Sequence, residues 1–384
     1  MLSRFHFPTE VIFGEGAVEA FAEEASGRGL RSALVVSDPG VVKAGLTERV
    51  REALAAVGIG STVFDEVHTN PREAEIYAGA DRWQESGADC IVAVGGGAAI
   101  DTAKGVRLLA SHPPPLGQYD DARGGSERIG PEMPPLFALP TTAGTGSEVG
   151  RSFVVTLEDS RRKTVIFSPH LMPTVAVCDP RLTVGLPPAI TAATGMDALT
   201  HNVEAYLAKG FHPLADAIAI RGTALVSRYL VRAVKRGDDM EARSGMMAAA
   251  LMGATAFQKG LGVCHSLAHA IGAETDLHHG LANALCLAAV LRFNAEAVPE
   301  RVEDIATALG ASSASYGREP GERAAARVRE LCRGAGLPSG LAEAGVDPGL
   351  VPALVELAFA DGCHLENPRP VTRTDLQALL EASM

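Results

Sequence analysis

The sequence predicts two domains, an α/β N-terminal domain with a mostly parallel sheet and an all-helical C-terminal domain. A chain of 384 residues is long for a single core, which favours two domains. The first half alternates short β-branched runs with helix-like stretches, as a parallel sheet flanked by helices does. After about Leu186 the β-branched runs vanish, and apolar residues recur at helical spacing to the end. Pro187 and Pro188 mark this change, so we place the domains at residues 1–185 and 186–384.

In the N-terminal domain the predicted strands and helices alternate along the chain. Apolar, β-branched runs predict buried strands, and longer stretches with polar residues at helical spacing predict helices. Tracts rich in proline and glycine, at residues 111–117 and 124–135, predict loops. The predicted strands are residues 32–37, 62–65, 90–94, 137–139 and 175–178, and the predicted helices are residues 44–57 and 73–87.

The composition argues against several classes of protein. A formal net charge of -12 is unfavourable for nucleic-acid binding, which usually needs a basic surface. No apolar segment reaches membrane-spanning length, and residues 1–13 lack the apolar stretch of a signal peptide. Six cysteines are scattered without a C-x-x-C pair, as in proteins of a reducing compartment. We therefore expect a cytoplasmic protein with a small-molecule substrate and no nucleic-acid or membrane partner.

Two loops rich in small residues follow predicted strands. Gly95, Gly96 and Gly97 come directly after the strand 90–94 and before a helix-like run, so backbone N–H groups there would face an anion. A turn from strand to helix also favours glycine on steric grounds alone. The loop of residues 141–148 follows the next strand and adds hydroxyl groups. Because ligands of open α/β sheets bind at the carboxyl ends of the strands, the two loops together predict a dinucleotide site.

The first predicted strand lacks the usual dinucleotide fingerprint. The chain reads Val36-Ser37-Asp38-Pro39-Gly40 at this point instead of G-x-G-x-x-G, so the domain is not a standard Rossmann unit. Asp38 ends the strand, where a carboxylate can accept both hydroxyls of an adenosine ribose and would repel a 2′-phosphate. The sequence therefore predicts NAD rather than NADP, unless Asp38 only opens a turn.

Carboxylate and imidazole side chains recur at helical spacing in the C-terminal half. Asp197 and His201 are four residues apart, which places them on one helix face, although this pair alone could be a buried hydrogen bond. Further imidazoles in an apolar helical domain would be costly to bury unless a cation binds them. One carboxylate and up to three imidazoles make a mixed site that fits Fe(II), Zn(II), Mn(II) or Co(II). The further histidines are His265, His269, His278 and His279.

Several motifs spread along both halves resemble those of one enzyme family. They are Phe13-Gly14-Glu15-Gly16, Gly95-Gly96-Gly97 with Asp101, residues 141–148, Ser168-Pro169, Asp179-Pro180, residues 191–201 and Asn367-Pro368-Arg369. With these motifs the sequence resembles the iron-containing (group III) alcohol dehydrogenase family across nearly the whole chain. The resemblance implies the same two-domain fold, with an active site between the domains and a homodimer or larger assembly. It also implies metal-dependent, NAD(H)-linked interconversion of alcohols and aldehydes.

The resemblance also implies the roles of individual residues in the metal site. It leaves His269 beside the cation without binding it, and we interpret His269 as a proton relay. The alternative is a histidine that is hydrogen-bonded within the helices and matters for stability alone. His278 falls outside the ligand set, although the sequence does not exclude its exchange with His279. The implied ligands, with iron as the cation and zinc as an alternative, are Asp197, His201, His265 and His279.

For the cofactor, the resemblance implies residues from four parts of the N-terminal domain. They lie at the adenosine, at the pyrophosphate and nearby backbone, around the phosphates and nicotinamide, and at the nicotinamide ribose, in turn. The residues are Asp38 and Asn70; Gly96, Gly97, Ala98 and Asp101; Thr141, Thr142 and Ser147; and Lys163 with Leu182 nearby.

A cationic residue, Arg151, follows closely behind the second loop. The family leads us to expect small or apolar residues at this place. Arg151, or its neighbour Ser152, would bind a carboxylate or another anion of the substrate. This hypothesis favours an ω-hydroxy acid such as 4-hydroxybutyrate, or its semialdehyde. The alternative is a surface salt bridge.

Two other functions fit parts of the pattern. A metal- and NAD-dependent lyase of the dehydroquinate-synthase type would need several basic residues around a phosphorylated, carboxylated substrate, and the helical half lacks them near its histidines. A non-catalytic regulatory or binding paralogue would keep the fold, but loss of function usually leaves gaps in a motif. The intact ligand set and glycine loops favour an enzyme.

Overall fold

The computed structural model describes Phe7, residues 9–159 and residues 163–384. Within these residues the chain forms two compact units. The α/β unit comprises Phe7–Thr142 and Gly146–Gly185, and the helical unit comprises Ala143–Thr145 and Leu186–Met384. The predicted fold class, a parallel-sheet α/β part followed by a helical part, is confirmed.

The α/β unit is built on a parallel sheet and a separate hairpin. Its strands are β1 (Glu10–Phe13), β2 (Ser32–Ser37), β3 (Gly60–Phe64), β4 (Cys90–Gly95), β5 (Leu136–Pro140), β6 (Ser152–Thr156), β7 (Lys163–Phe167) and β8 (Val175–Cys178). Among the described residues, six of them pair in parallel in the order β1-β8-β5-β4-β2-β3. β6 and β7 pair in antiparallel register, with Ser152 opposite Phe167.

Helices cover both faces of the parallel sheet. They are α1 (Ala17–Gly27), α2 (Pro39–Lys43), α3 (Leu46–Ala56), α4 (Glu73–Ser86) and α5 (Gly97–Leu109). Val35 of β2 belongs to the core that contains Phe21 of α1, whereas its neighbour Val36 belongs to the core that contains Ile100 of α5. Successive residues of a strand point to opposite faces, so both faces need apolar side chains. This two-sided burial explains the continuous apolar runs in the sequence.

The strand order reverses between β2 and β4, which are neighbours in the sheet. From β2 the chain proceeds to β3 on one side, and from β4 it proceeds to β5 on the other. The register sets Ser37 opposite Val94 and Gly95 opposite Pro140. The loops after β2, β4 and β5 therefore begin side by side, at the kind of reversal where α/β sheets bind ligands.

Some elements differ from the sequence-based predictions. β1 and the β6–β7 hairpin were not predicted; β1 is short and partly exposed, and the strands of the hairpin are buried at alternate residues only. The strand predicted at residues 62–65 lies at Gly60–Phe64. The helix predicted at residues 44–57 begins at Leu46, since Gly45 has a φ of 76° and separates α2 from α3. The predicted loops contain short 3₁₀ turns, including Leu116–Tyr119 and Gly125–Arg128.

In the helical unit, other helices pack around one deeply buried helix. Its helices are α6 (Pro188–Leu207), α7 (Pro213–Lys235), α8 (Met240–Ala256), α9 (Val263–Thr275), α10 (His279–Ala295), α11 (Pro299–Ala308), α12 (Ser313–Tyr316), α13 (Pro320–Gly334), α14 (Val351–Ala360) and α15 (Arg373–Glu381). Every residue of α6 from Thr191 to Leu207 is buried, since α7, α8 and α10 pack around it. Within the described part of the chain, no helix combines the length and the apolarity that crossing a membrane requires.

Candidate active site

Three helices of the helical unit bring the predicted ligand residues together. α6 carries Asp197 and His201, α9 carries His265, and α10 begins at His279. Ligand atoms of Asp197, His265 and His279 all lie within 4.8 Å of one another. The ring of His201 stacks on that of His265, with centroids 4.8 Å apart and an interplanar angle of 17°. His278 is absent from this group of side chains, as far as the described residues show.

The charges and hydrogen bonds of this cluster fit a divalent cation. Burial alone would raise the pKa of the Asp197 carboxyl, but the imidazoles of His201, His279 and His265 outweigh it and lower the pKa to about 2. Burial also lowers the pKa of His265 well below its ordinary value, which keeps its lone pair available. Among the described residues, the buried Nδ1 atom of His201 has no hydrogen-bond partner. A cation bound here would balance the carboxylate charge and accept lone pairs from the imidazole nitrogens.

Two side chains that were not predicted hold the ligand residues in place. Nδ1 of His265 donates to Oε2 of Glu204 at 2.6 Å, which leaves Nε2 as the ligand atom. Glu204 also accepts hydrogen bonds from the backbone N–H groups of Gly262 and Cys264, at 3.0 and 2.6 Å. Nδ2 of Asn283 donates to Oδ1 of Asp197 at 2.9 Å. The ligand residues are therefore oriented before any cation binds.

We expect Glu204→Gln to weaken cation binding. The substitution places an N–H group where Glu204 now accepts from His265 and from the start of α9. Loss of a carboxylate behind a ligating histidine typically lowers metal affinity about 10- to 100-fold. Competition titration of the purified protein against a chelator, with Zn(II) and Co(II), measures this loss.

Asp239→Asn is the matched control for this substitution. Asp239 also accepts a backbone hydrogen bond at a helix start, from Ala242 of α8, and lies in the same unit. Among the described residues, it is not part of the cluster of Asp197, His265 and His279. The two variants should lose comparable thermal stability, but only Glu204→Gln should lose affinity. Equal affinities in wild type and Glu204→Gln would refute the orienting role.

His269 lies beside the ligand residues, as predicted, and is held by a partner that was not predicted. Its Nδ1 donates to Oδ2 of Asp361 at 2.9 Å, and its ring stacks on that of His279 with centroids 5.2 Å apart. Asp361 also accepts from Ser266 Oγ and from the N–H of Cys363. The side chain of His269 is 44% exposed. Asp361 thus fixes one tautomer and leaves Nε2 accessible.

The predicted cofactor loops share one edge of the parallel sheet. Gly96 is the N-cap residue of α5 and Gly97 and Ala98 form its first turn, so their N–H groups are free of intrahelical partners. A Cβ atom on Gly96 would contact the side chain of Thr142 at 3.4 Å. The N–H group of Thr141 donates to the carbonyl of Gly95 at 3.0 Å. The two loops are therefore adjacent, and the glycine loop offers backbone N–H groups without covering side chains beside them.

The structure gives Asp38 a local hydrogen-bonding role beside this edge. One carboxylate oxygen accepts from the N–H groups of Gly40 and Val41, so Asp38 opens the short helix α2. The other oxygen lies 3.4 Å from where a Cβ atom on Gly95 would be. Capping thus engages one oxygen and leaves the other beside the glycine loop.

Two of the predicted cofactor residues have different surroundings from those expected. The carboxylate of Asp101 does not face outward from the loop: it accepts from Ser147 Oγ at 2.6 Å and from the N–H of Val154 at 3.0 Å. A carboxylate used in this way positions Ser147 rather than binding a pyrophosphate, which it would repel. Leu182 is 1% exposed and packs in the apolar core with Phe21 and Val177. A bound cofactor could therefore contact only the backbone of Leu182.

The remaining predicted residues lie on the hairpin and the loop beside it. Asn70 precedes Pro71, whose carbonyl accepts from the N–H of Thr156 in β6. Lys163 is the exposed first residue of β7 and pairs with Thr156. Ser152 begins β6, and the preceding Arg151 lies over the ring of Phe167, 5.3 Å from its centroid.

The residues that orient the ligands and His269 could be predicted from the sequence only weakly or not at all. Glu204 follows His201 by three residues and Asn283 follows His279 by four, so each continues the helix face of a ligand. No spacing connects Asp361 with His269, because the partners are 92 residues apart.

The α/β unit has a nucleotide-type loop edge and the helical unit has a mixed carboxylate and imidazole centre, and both features are typical of metal-dependent dehydrogenases. The family model for iron-containing alcohol dehydrogenases matches residues 8–180, and the model for the C-terminal part of that family matches residues 191–384. The chain therefore belongs to the iron-containing alcohol dehydrogenase family.

Individual relatives agree with this assignment. The 4-hydroxybutyrate dehydrogenase of Cupriavidus necator is 43% identical over 384 residues, which cover 99% of each chain. A crystal structure of a 1,3-propanediol oxidoreductase has a TM-score of 0.95 at 36% identity, with 100% of both chains covered. The sulfoacetaldehyde reductase of Bifidobacterium kashiwanohense, solved in complex with NAD⁺, has a TM-score of 0.90 at 29% identity, over 99% of this chain and 98% of that one. The chain is thus an alcohol/aldehyde oxidoreductase acting on CH–OH groups, and the lyase alternative is set aside.

Proposed function

We propose that this chain interconverts an ω-hydroxy acid, such as 4-hydroxybutyrate, with its semialdehyde, using NAD(H) and one divalent cation. The observation that carries the proposal is the cluster of Asp197, His265 and His279, beside which a buried nitrogen of His201 has no hydrogen-bond partner among the described residues. Iron is implied by the family, and the donor set accepts zinc equally well. A homodimer remains a prediction from the resemblance, and a cytoplasmic location remains a prediction from the composition.

The chemistry divides between the bound groups and the side chains of this chain. When bound, the cation would act as a Lewis acid toward the substrate oxygen, and NAD would accept the hydride. Asp197 and the imidazoles would hold the cation, and Glu204 and Asn283 orient these side chains by hydrogen bonds to His265 and Asp197. His269 holds a proton on Nδ1 against Asp361 and offers Nε2 for proton exchange with substrate or solvent.

The cofactor would bind along the carboxyl edge of the parallel sheet. Gly96 and Gly97 offer N–H groups at the start of α5, where the helix dipole favours the pyrophosphate. The free carboxylate oxygen of Asp38 lies beside this loop, where it would accept from a ribose hydroxyl and repel a 2′-phosphate. We therefore propose NAD rather than NADP.

Arg151 supports a substrate with a carboxylate. Its guanidinium is partly buried over Phe167, and this burial lowers its pKa. None of the carboxylates in the described residues forms an ion pair with Arg151, in contrast to the salt bridges that fix Arg28 or Arg232. A half-buried cation without an anionic partner is suited to an anionic ligand. The relative from Cupriavidus necator is named for an ω-hydroxy acid.

The test compares a carboxylated and an uncharged alcohol. We expect wild-type protein to form NADH from both 4-hydroxybutyrate and 1-butanol, with the higher kcat/KM for the acid. Hydrogen bonds to a charged group contribute about 1.5–3 kcal/mol, so Arg151→Met should lower kcat/KM for 4-hydroxybutyrate about 10- to 100-fold. The value for 1-butanol should stay nearly unchanged. NADH formation is followed by absorbance after reconstitution with Fe(II) or Zn(II).

Arg28→Met serves as the matched control. Arg28 also lies over an aromatic ring, 6.0 Å from the centroid of Phe137, but it is already paired with Glu10 and Glu24. This variant should keep the preference for the acid. Equal losses for both alcohols in Arg151→Met would exclude carboxylate binding, and no NADH from either alcohol in wild type would exclude the proposed activity.

A further inference from the structure

We infer that Lys104 is a positioning residue, which holds residues 147–152 in the conformation that binds cofactor and substrate. We call these residues the 147–152 segment. The inference rests on the proposed function, which assigns Arg151 to the substrate, and on the family resemblance, which implies Ser147 for the cofactor. It concerns a side chain that neither the motifs nor the mechanism has used.

The observation is a fully buried ammonium group that binds backbone carbonyls of this segment. Nζ of Lys104, in the third turn of α5, donates to the carbonyl oxygens of Ser147 at 2.7 Å, Gly150 at 3.0 Å and Ser152 at 2.8 Å. Oγ of Ser147 lies at 3.0 Å from the same nitrogen. A lysine ammonium has three hydrogens, so the three carbonyls satisfy it completely. The segment is thereby held by its backbone, independently of most of its side chains.

Burying this charge is unfavourable unless the contacts compensate for it. Lys104 has no exposed surface, and removing an ammonium from water costs several kcal/mol even after relaxation. Burial lowers its pKa to about 8, although the nearby carboxylates of Asp101 and Glu148 oppose the shift. A leucine or methionine would fill a core position on α5 without this cost. The lysine is therefore better explained by its contacts with the segment than by packing.

Asp101 provides a second attachment from the preceding turn of α5. One carboxylate oxygen accepts from Ser147 Oγ, at the start of the segment. The other accepts from the N–H of Val154 in β6, just beyond the end of the segment. The first turn of the same helix contains Gly97 of the proposed pyrophosphate site. One helix therefore offers the anion site at its N-terminus and fixes the 147–152 segment by its next two turns.

This arrangement also sets the position of Arg151. The carbonyls of Gly150 and Ser152, on either side of it, both accept from Lys104. Ordering a flexible backbone costs conformational entropy, so ligands that bind a segment already ordered do not have to offset that cost. Removing the ammonium should therefore weaken cofactor and carboxylate binding together, without altering the cation ligands in the other unit.

The experiment compares Lys104→Met with Arg107→Met. Arg107 is the next buried cation of α5, and it donates to the carbonyls of Pro134, His170 and Met172, outside the segment. The two variants remove a buried charge and its carbonyl contacts from one helix, so their losses of thermal stability should be similar. Amide hydrogen exchange of residues 147–152 should accelerate at least tenfold in Lys104→Met and remain unchanged in Arg107→Met.

Binding and kinetics give the second measurement. We expect the Kd for NADH, from its fluorescence, to rise at least tenfold in Lys104→Met, and the preference for 4-hydroxybutyrate over 1-butanol to fall. Metal content should equal that of wild type. Asp101→Asn disturbs only one attachment of the segment, so it should show the same changes to a smaller extent. If Lys104→Met does not fold, Asp101→Asn is the variant that tests the inference.

Two negative outcomes have different meanings. Unchanged exchange of residues 147–152 in Lys104→Met, or in Asp101→Asn where the first variant does not fold, would overturn the positioning role. This readout needs no cofactor. Wild-type protein that binds no NADH would instead overturn the proposed function, whatever the exchange data show.

Discussion

Asp197→Asn is expected to lose the bound cation and to lower kcat/KM by about a thousandfold. Asp197 is the single carboxylate of the ligand cluster found among the described residues, and it is 2% exposed. Without its charge the divalent cation would be buried among neutral imidazoles, which is strongly unfavourable. Polarisation of a substrate oxygen by a metal is worth several kcal/mol, and about 1.4 kcal/mol corresponds to a factor of ten in rate. Elemental analysis and NADH formation measure the two losses.

Two neighbouring histidines provide the internal control for this prediction. His279→Ala should lose the cation as Asp197→Asn does, whereas His278→Ala should retain it, because only His279 belongs to the cluster among the described residues. The sequence left an exchange between these two residues open. Full metal content in both Asp197→Asn and His279→Ala would contradict the assignment of the cation site.

The fold could be predicted from the sequence because its signals are local. The apolar runs of β2, β4 and β8 reflect burial on both faces of a sheet, and the helical spacing after Leu186 reflects a helical unit. The order of the strands was not predictable in this way. It depends on pairings such as Glu10 with Val175, which join distant parts of the chain.

Prediction of the site succeeded where its residues share a helix or a loop and failed where they do not. Asp197 and His201 are one helical turn apart, so their spacing predicted a shared face. Glu204 orients a histidine 61 residues away, and its role depends on how α6 and α9 pack. The resemblance implies a place for Asp101 at the pyrophosphate and nearby backbone, and the sequence does not show which way this helical side chain points. The structure directs it toward Ser147 and Val154 instead.

Replacement of His269 is expected to reduce turnover far more than stability. His269→Gln keeps a donor toward Asp361 but cannot exchange a proton, and loss of general acid–base catalysis typically costs about a hundredfold to ten-thousandfold in rate. The side chain is 44% exposed, so its removal opens no cavity in the core. Steady-state kcat, metal content and the Kd for NADH should be measured on the same preparation. Only kcat should change substantially.

The opposite interpretation, that His269 serves stability alone, makes a different set of predictions. His112→Gln is the matched control, because this histidine of the α/β unit interacts with Leu108 and Gly130 and has no assigned part in the reaction. His112→Gln should lower Tm and leave kcat intact. A relay that depends on the tautomer also requires that Asp361→Asn lower kcat, since Asp361 fixes the proton on Nδ1. If His269→Gln behaves like His112→Gln, the proton required for aldehyde reduction must come from solvent or another group.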